Sequence, residues 1–173
     1  MIELELTYLA KELPKDLFDS PSKKIVDLYV ENGMEHSDLR IRRNGDEYEL
    51  TRKRPTEEGD ASKQVETTIP ISDVEFESFS GTRSKVVSKT RYYYEYGGTV
   101  AEFDIFENAM EGLVVIDFEF NSELEKDEFA MPAFCLADVT QEKFIAGGMV
   151  AGKGYGDLEE DLNRFGYKRI DLP

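Results

Sequence analysis

Over the first 120 residues, apolar and polar positions alternate with a period of two, broken at intervals by Gly, Pro and Asn. The alternation is strictest at the start, where Ile2, Leu4 and Leu6 share one side and Glu3, Glu5 and Thr7 the other. Successive side chains of a strand point to opposite faces, so residues 2–9 are predicted to be a β-strand and not a helix. The same pattern predicts strands over residues 25–31, 37–44, 47–54, 63–69, 84–96, 99–107 and 112–120. Asn32-Gly33, Asn44-Gly45 and Gly97-Gly98 read as turns between them. Residues 14–22, with two prolines, form a connector, and the polar residues 55–62 a loop.

Helical signals are few. Ser72 and Glu75, and later Ser122 and Glu125, have the spacing of capping boxes and open short helices to about Phe79 and Phe129. Thr140 is expected to cap a helix running towards Val150, and a helix over 157–165 stops at Gly166. Eight consecutive strands joined mostly by hairpins predict an α+β, mainly β protein: an antiparallel sheet large enough to close into an eight-stranded barrel.

The polar faces of these strands carry an unusual load. Bases fall at Arg40, Arg42, Lys53, Lys89 and Arg91, and acids at Glu3, Glu5, Glu66, Glu102, Asp104, Asp117 and Glu119. Opposite them stand Leu39 and Ile41, Phe103 and Ile105, and Ile116, Phe118 and Phe120. Two arrangements satisfy this pattern. Either the apolar faces fill the barrel and the charges are solvated, or helices cover the apolar faces outside and the charges line the lumen. Buried charge is tolerable when paired or ligated. A charged lumen would hold a polyphosphate on its Arg and Lys side and divalent metal on its carboxylate side. Periodicity alone does not decide between the two.

Composition narrows the chemistry. Among 173 residues, 21 Lys and Arg face 37 Asp and Glu, a net charge of −16. Such an excess argues against general attraction to duplex nucleic acid or to an anionic membrane, while leaving room for a local cationic pocket. Cys135 is the single cysteine and His36 the single histidine, so an internal disulfide is ruled out, and a zinc site or a Ser-His-Asp triad is disfavoured. Without a signal pattern or an apolar run of membrane-spanning length, the expectation is a cytoplasmic protein. Residues 152–155 lack the spacing and the preceding strand of a phosphate-binding loop. Tyr92, Tyr93 and Tyr94 read as strand packing beneath a helix and not as a base-stacking platform.

In order along the chain, these residues resemble the CYTH domain, or triphosphate tunnel metalloenzyme, family. Glu3 and Glu5 match its opening E-x-E-x-K, Arg40 and Arg42 its R-x-R pair, and Tyr48, Leu50, Thr51 and Lys53 its aromatic-x-L-T-x-K strand. Glu66 matches the next strand, with Gln64 where another Glu is common. Lys89, Arg91 and Tyr92 match K-x-R-aromatic, and Glu102, Asp104 and Phe106 the acidic-x-Asp-x-Phe segment. Gly112, Leu113, Asp117 and Glu119 match the following strand, and Pro132, Asp138, Val139 and Thr140 the final motif. The resemblance spans residues 2 to about 150 of one domain covering 1–173, leaving 151–173 as a C-terminal helical extension that packs on the barrel or meets a second subunit, so a homodimer stays open.

The resemblance implies an eight-stranded tunnel with helices outside, Mg²⁺ or Mn²⁺, and a small molecule bearing a triphosphate. It implies Glu3, Glu5, Asp117 and Glu119 as metal ligands, and Arg40, Arg42, Lys53, Lys89 and Arg91 as the phosphate cradle. Glu102, Asp104 and Lys89 form the implied catalytic set, with Glu66 in support. Its activities include hydrolysis of tripolyphosphate, thiamine triphosphate or nucleoside triphosphates, and cyclisation of ATP. Two departures stand out: Thr7 replaces the motif lysine, and Ala146 stands where an asparagine is frequent. They raise the alternative of a triphosphate-binding module with weakened turnover. Lys11 and Lys143 are the candidates to replace the lost charge.

Overall fold

In the computed structural model, which describes residues 1–30, 37–81 and 84–172, nine strands are present. They are β1 (Ile2–Ala10), β2 (Ser22–Val30), β3 (Leu39–Asn44), β4 (Glu47–Pro55), β5 (Lys63–Pro70), β6 (Ser84–Tyr96), β7 (Thr99–Phe106), β8 (Val114–Phe120) and β9 (Cys135–Asp138). All neighbours are antiparallel in the order β5-β4-β3-β2-β6-β7-β8-β1-β9, and a β5–β1 pairing closes the ring. One edge of β1 pairs with β8 over Leu4–Leu9. Its other edge is shared end to end, Ile2–Leu4 by β5 and Tyr8–Ala10 by β9. The eight predicted strands are therefore a closed barrel, and closure removes the open edges that an eight-stranded sheet would otherwise present. The Asn32-Gly33 turn, Glu31 and His36 lie outside the described residues.

The apolar faces turn outward and are covered. Tyr8, Phe103, Ile116 and Phe118 pack with Leu17, Phe134 and Phe129 on one flank. Leu28 and Ile41 pack beneath Phe76 of helix α1 (Asp73–Ser80) on another. Each such side chain removed from water contributes about 1.5–3 kcal/mol, which makes the outward arrangement stable only where something lies on top. Ser72 and Glu75 close the predicted capping box on α1. Helix α2 (Glu123–Asp127) takes its cap from Ser122 Oγ, which accepts from the Glu125 N–H at 3.2 Å. None of the described helices is long and apolar enough to cross a membrane.

A third apolar cluster occupies one end of the barrel. Leu9, Tyr29, Val87, Phe106 and Val115 extend the lumen-facing rows of five strands, and Val139, Phe144, Ile145 and Val150 close over them. Leu158, Leu162 and Tyr167 of the C-terminal segment belong to the same cluster. The covering elements thus lie outside along the walls but plug the barrel at this end.

Local departures from expectation have local causes. Residues 140–150 do not form one helix from Thr140. They make a 3₁₀ turn at Lys143–Ile145 and a single helical turn, α3 (Gly147–Val150). Thr140 Oγ1 instead donates to Asp138 Oδ1 (2.6 Å) and accepts from the Thr7 N–H (2.9 Å), and two glycines weaken helix propagation. A Cβ on Gly147 would overlap the Tyr29 hydroxyl, so the plug can approach β2 only with glycine there. β9 was not anticipated because four residues are too few for periodicity to register. Within the proline connector, a 3₁₀ turn at Leu17–Asp19 buries Leu17 completely. Helix α4 (Glu159–Arg164) follows a 3₁₀ turn at Tyr155–Asp157 and ends before Gly166, whose φ of +69° suits glycine.

Buried Tyr167 ties the C-terminal segment to the barrel: its hydroxyl accepts from the Val114 N–H (2.8 Å) and donates to the Gly112 carbonyl (2.9 Å). Tyr167→Phe leaves the Val114 N–H buried without its partner, while the Gly112 carbonyl keeps its bond from the Ile170 N–H (3.0 Å), so a loss of about 1–3 kcal/mol in urea unfolding is expected; unaltered stability would show that the clasp contributes nothing.

Candidate functional site

A cavity of about 770 Å³ fills the barrel above the apolar plug. It is lined by every charged residue assigned to the polar strand faces: Glu3 and Glu5 of β1, Arg40 and Arg42 of β3, Lys53 of β4, Glu66 of β5, Lys89 and Arg91 of β6, Glu102 and Asp104 of β7, and Asp117 and Glu119 of β8. The charged faces are therefore the inner ones. Lys143 and Ala146 of the plug segment also line it. Lys11 does not appear among the lining residues.

Strand register pairs the charges. Arg91 faces Asp104 across β6–β7, Glu102 faces Asp117 across β7–β8, Glu5 faces Glu119 across β1–β8, and Lys53 faces Glu66 across β4–β5. Asp104, 1% exposed, is the hub: it accepts from Lys89 Nζ and from Arg91 Nε and Nη2, both at 2.6 Å. Burial alone would raise its pKa, but Arg91 and Lys89 hold the carboxyl well below the usual range. Arg91 also donates to Glu102 and, at 3.0 Å, to Asp117 Oδ2. Lys53 Nζ sits between Glu3 (2.6 Å) and Glu5 (2.5 Å).

The acids are not evenly compensated. Burial opposed by Lys53 still leaves Glu3 with a raised pKa. Burial, together with Glu3 and Glu5, raises that of Glu119. Burial outweighs Arg91 at Glu102, and burial with Glu5 drives Asp117 well above the carboxylate range. At Glu5 the balance reverses, because the adjoining Lys53 ammonium overcomes burial and lowers it to about 2. At position 7, in register with Asp117, the Thr7 hydroxyl donates to Asp117 Oδ1 (2.9 Å). A neutral donor stands where the motif has a cation.

This donor set fits a hard divalent cation. Glu3, Glu5, Asp117 and Glu119 offer oxygen alone, and their mutual repulsion is what a bound cation relieves. Among the described residues no three acidic, histidine or cysteine side chains already converge as a metal-holding group. Lys53, wedged between Glu3 and Glu5, is the group that would have to yield.

Asp27 and Tyr29 are among the lumen residues that the sequence pattern was not used to select. Asp27, 2% exposed, chelates Arg42 through Nε–Oδ1 (2.7 Å) and Nη2–Oδ2 (2.8 Å). Tyr29 lies two residues on, at the junction of cavity and plug. Both fall on the polar side of a strand whose other side is Val26, Leu28 and Val30, so alternation would have found them. Of the tyrosine run, Tyr92 stacks edge-on against Phe18 and Tyr94 against Phe103, while Tyr93 lines the cavity.

Comparison with known proteins agrees with this geometry. The CYTH domain matches residues 1–131. An inorganic triphosphatase from Nitrosomonas europaea is 31% identical over 146 residues, which cover 83% of this chain and 92% of that protein. A crystal structure of an inorganic triphosphatase superposes with a TM-score of 0.64 at 24% identity, covering 87% of this chain and 95% of the other. A putative adenylate cyclase from Bacillus halodurans superposes with a TM-score of 0.50 at 15% identity, covering 99% and 95%.

The uneven compensation predicts how stability follows pH. Glu3, Glu102, Asp117 and Glu119 have raised folded pKa values, so their contribution is fully present below the ordinary carboxylate range and is lost as pH rises through the folded values. Asp27 and Glu5, held at about 2, contribute in the opposite sense: their stabilisation is present above the ordinary range and lost as pH falls towards 2. The metal-free protein is therefore expected to melt highest in mildly acidic solution. Mg²⁺ or Mn²⁺ should raise the melting temperature more at pH 7.5 than at pH 4.5, by scanning calorimetry; equal shifts at both would contradict the site.

Proposed function

The chain belongs to the CYTH domain family, and from that premise we propose that it is a metal-dependent triphosphatase acting on inorganic tripolyphosphate or a related triphosphate-bearing small molecule. The observation that carries the reading is a single cavity inside the barrel holding Arg40, Arg42, Lys53, Lys89 and Arg91 against a bank of carboxylates. The inorganic triphosphatase from N. europaea supports hydrolysis of the inorganic substrate.

In this reading the five cations bind the phosphate oxygens and neutralise charge that develops as a phosphoryl group is transferred. Glu3, Glu5, Asp117 and Glu119 would hold the divalent cation, Mg²⁺ or Mn²⁺. When bound, it supplies Lewis-acid polarisation of the phosphates and cancels the acidic excess facing them. Asp104 fixes Lys89 and Arg91 and, with its depressed pKa, is not a proton acceptor. Glu102, whose pKa is raised and whose partner is a single guanidinium, is the better placed to orient the attacking water and take its proton. Glu66 lies at the lumen edge, accepts from Thr68 (2.8 Å) and supports the Lys53 side of the site. Residues 1–173 act as one domain.

The weakened-binder reading rests on Thr7. A lysine there would meet Asp117 and Glu5, and one charge-assisted contact is worth about 1.5–3 kcal/mol, or roughly tenfold to a hundredfold in kcat/KM.

Orthophosphate should be released from tripolyphosphate with Mg²⁺ or Mn²⁺, and chelator should abolish the release. Cyclic AMP and pyrophosphate from ATP would establish the cyclase instead, and tight binding without release the inert binder. Lys89→Ala should lower kcat/KM about a hundredfold or more, and a wild-type rate in that variant would remove the cavity from the chemistry. Thr7→Lys should raise kcat/KM roughly tenfold in a phosphate-release assay, whereas no gain would mean that the hydroxyl at position 7 costs the enzyme nothing.

A further inference from the structure

Asp27 takes no part in the scheme above, yet it is among the most deeply buried charges in the barrel, at 2% exposure. It stands on the lumen-facing row of β2, and the β2–β3 ladder places it directly opposite Arg42. Both carboxylate oxygens are committed to that guanidinium, at 2.7 Å to Nε and 2.8 Å to Nη2. Arg40, two residues away on β3, has its Nε 3.9 Å from Asp27 Oδ1 and without a hydrogen-bond partner. One carboxylate therefore faces both arginines of the R-x-R pair.

The chelation uses one edge of Arg42 and leaves Nη1 and the second Nη2 hydrogen without a bond to Asp27. An arginine has five donors in a rigid plane, so fixing two of them fixes the direction of the rest. A free arginine would instead lose several rotatable bonds on meeting its ligand. Interactions of this kind act through geometry: a shift of about 1 Å in a positioned group can cost two orders of magnitude in rate.

We propose that Asp27 is the positioning residue of the R-x-R pair: it holds Arg42 by a bidentate clamp and keeps Arg40 beside it, so that both guanidiniums reach a triphosphate already oriented. This rests on the proposed triphosphate site, but it names a residue that site does not require. Its carboxylate acts on the substrate only through the arginines. The low pKa of Asp27, which Arg42 and Arg40 bring to about 2 against the effect of burial, agrees with a carboxylate that stays ionised throughout the working pH range.

The test compares Arg42→Ala, Asp27→Asn and Asp27→Glu in the full chain, measuring calorimetric binding of tripolyphosphate with Mg²⁺, steady-state kcat and KM, and melting temperature. Asp27→Asn is expected to weaken binding and raise KM at least tenfold, with a smaller change in kcat. It leaves Arg42 buried without a counter-charge and can fail to fold, so Asp27→Glu is the decisive variant. Glutamate keeps the charge pair and a near-wild-type melting temperature but displaces the guanidinium, and binding should weaken fivefold or more. Wild-type binding and KM in folded Asp27→Glu would overturn the proposal. If Arg42→Ala itself leaves tripolyphosphate binding intact, the triphosphate site is what fails; if Arg42→Ala weakens binding and Asp27→Glu does not, the clamp alone is refuted.

Discussion

The barrel depends on the neutralisation of Asp104. A carboxylate removed from water on a lumen wall is stable only while Lys89 and Arg91 remain against it. Those two side chains lie two residues apart on β6, and Asp104 lies on β7 directly opposite Arg91. The ion pairs are thus consequences of strand register. A slip of one residue would turn every charge of that strand towards the aromatic jacket outside and every apolar residue into the cavity. Hydrophobic burial and charge pairing therefore demand the same alignment, and each penalises the error that the other would suffer.

Each lumen-facing row changes character along its length. β1 passes from Glu3 and Glu5 through Thr7 to Leu9, β6 from Arg91 and Lys89 to Val87, and β8 from Glu119 and Asp117 to Val115. The apolar ends meet Val139 and Ile145, so the cavity has an apolar floor and charged walls. A floor of low polarisability strengthens the electrostatic interactions above it, both the attractive ones and the repulsion among uncompensated acids. Burial, with that repulsion added to it, is why four carboxylates have raised pKa values beside cations that are already committed. Replacing a lysine by Thr7 deepens the imbalance: Asp117 keeps a hydrogen bond but loses a charge.

An acidic exterior and a cavity that gathers cations are compatible because they act at different distances. The net charge of −16 is screened by salt beyond about 10 Å, whereas Arg40, Arg42 and Lys89 act within a few ångströms of whatever enters. Net charge speaks to general association and solubility. The site is decided by where five basic residues converge.

Much of this was legible in the chain itself. Alternation located eight strands because a half-buried strand must expose one face to each environment, and period two survives any tertiary arrangement. It also placed the twelve acids and bases of the polar strand faces on a common side, which is why those twelve share one cavity. Asp27 was equally readable, standing between Val26 and Leu28. Short elements held in place by contacts were not readable: β9 exists because the edge of β1 beyond β5 needs a partner, and 140–150 folds as a plug because Gly147 admits Tyr29.

The chain by itself determined which side chains stand together on each strand, since that follows from backbone geometry alone. Only the tertiary structure decided which of the two faces is inside. Sidedness is set by what covers the sheet, and the cover comes from distant segments: Phe76 of α1, Leu17 of the connector, and Phe129 and Phe134 before β9. Once those segments bury the aromatic faces, closure through the β5–β1 pairing leaves the charged faces nowhere but the lumen, where each must find a counter-charge across the strands or a ligand.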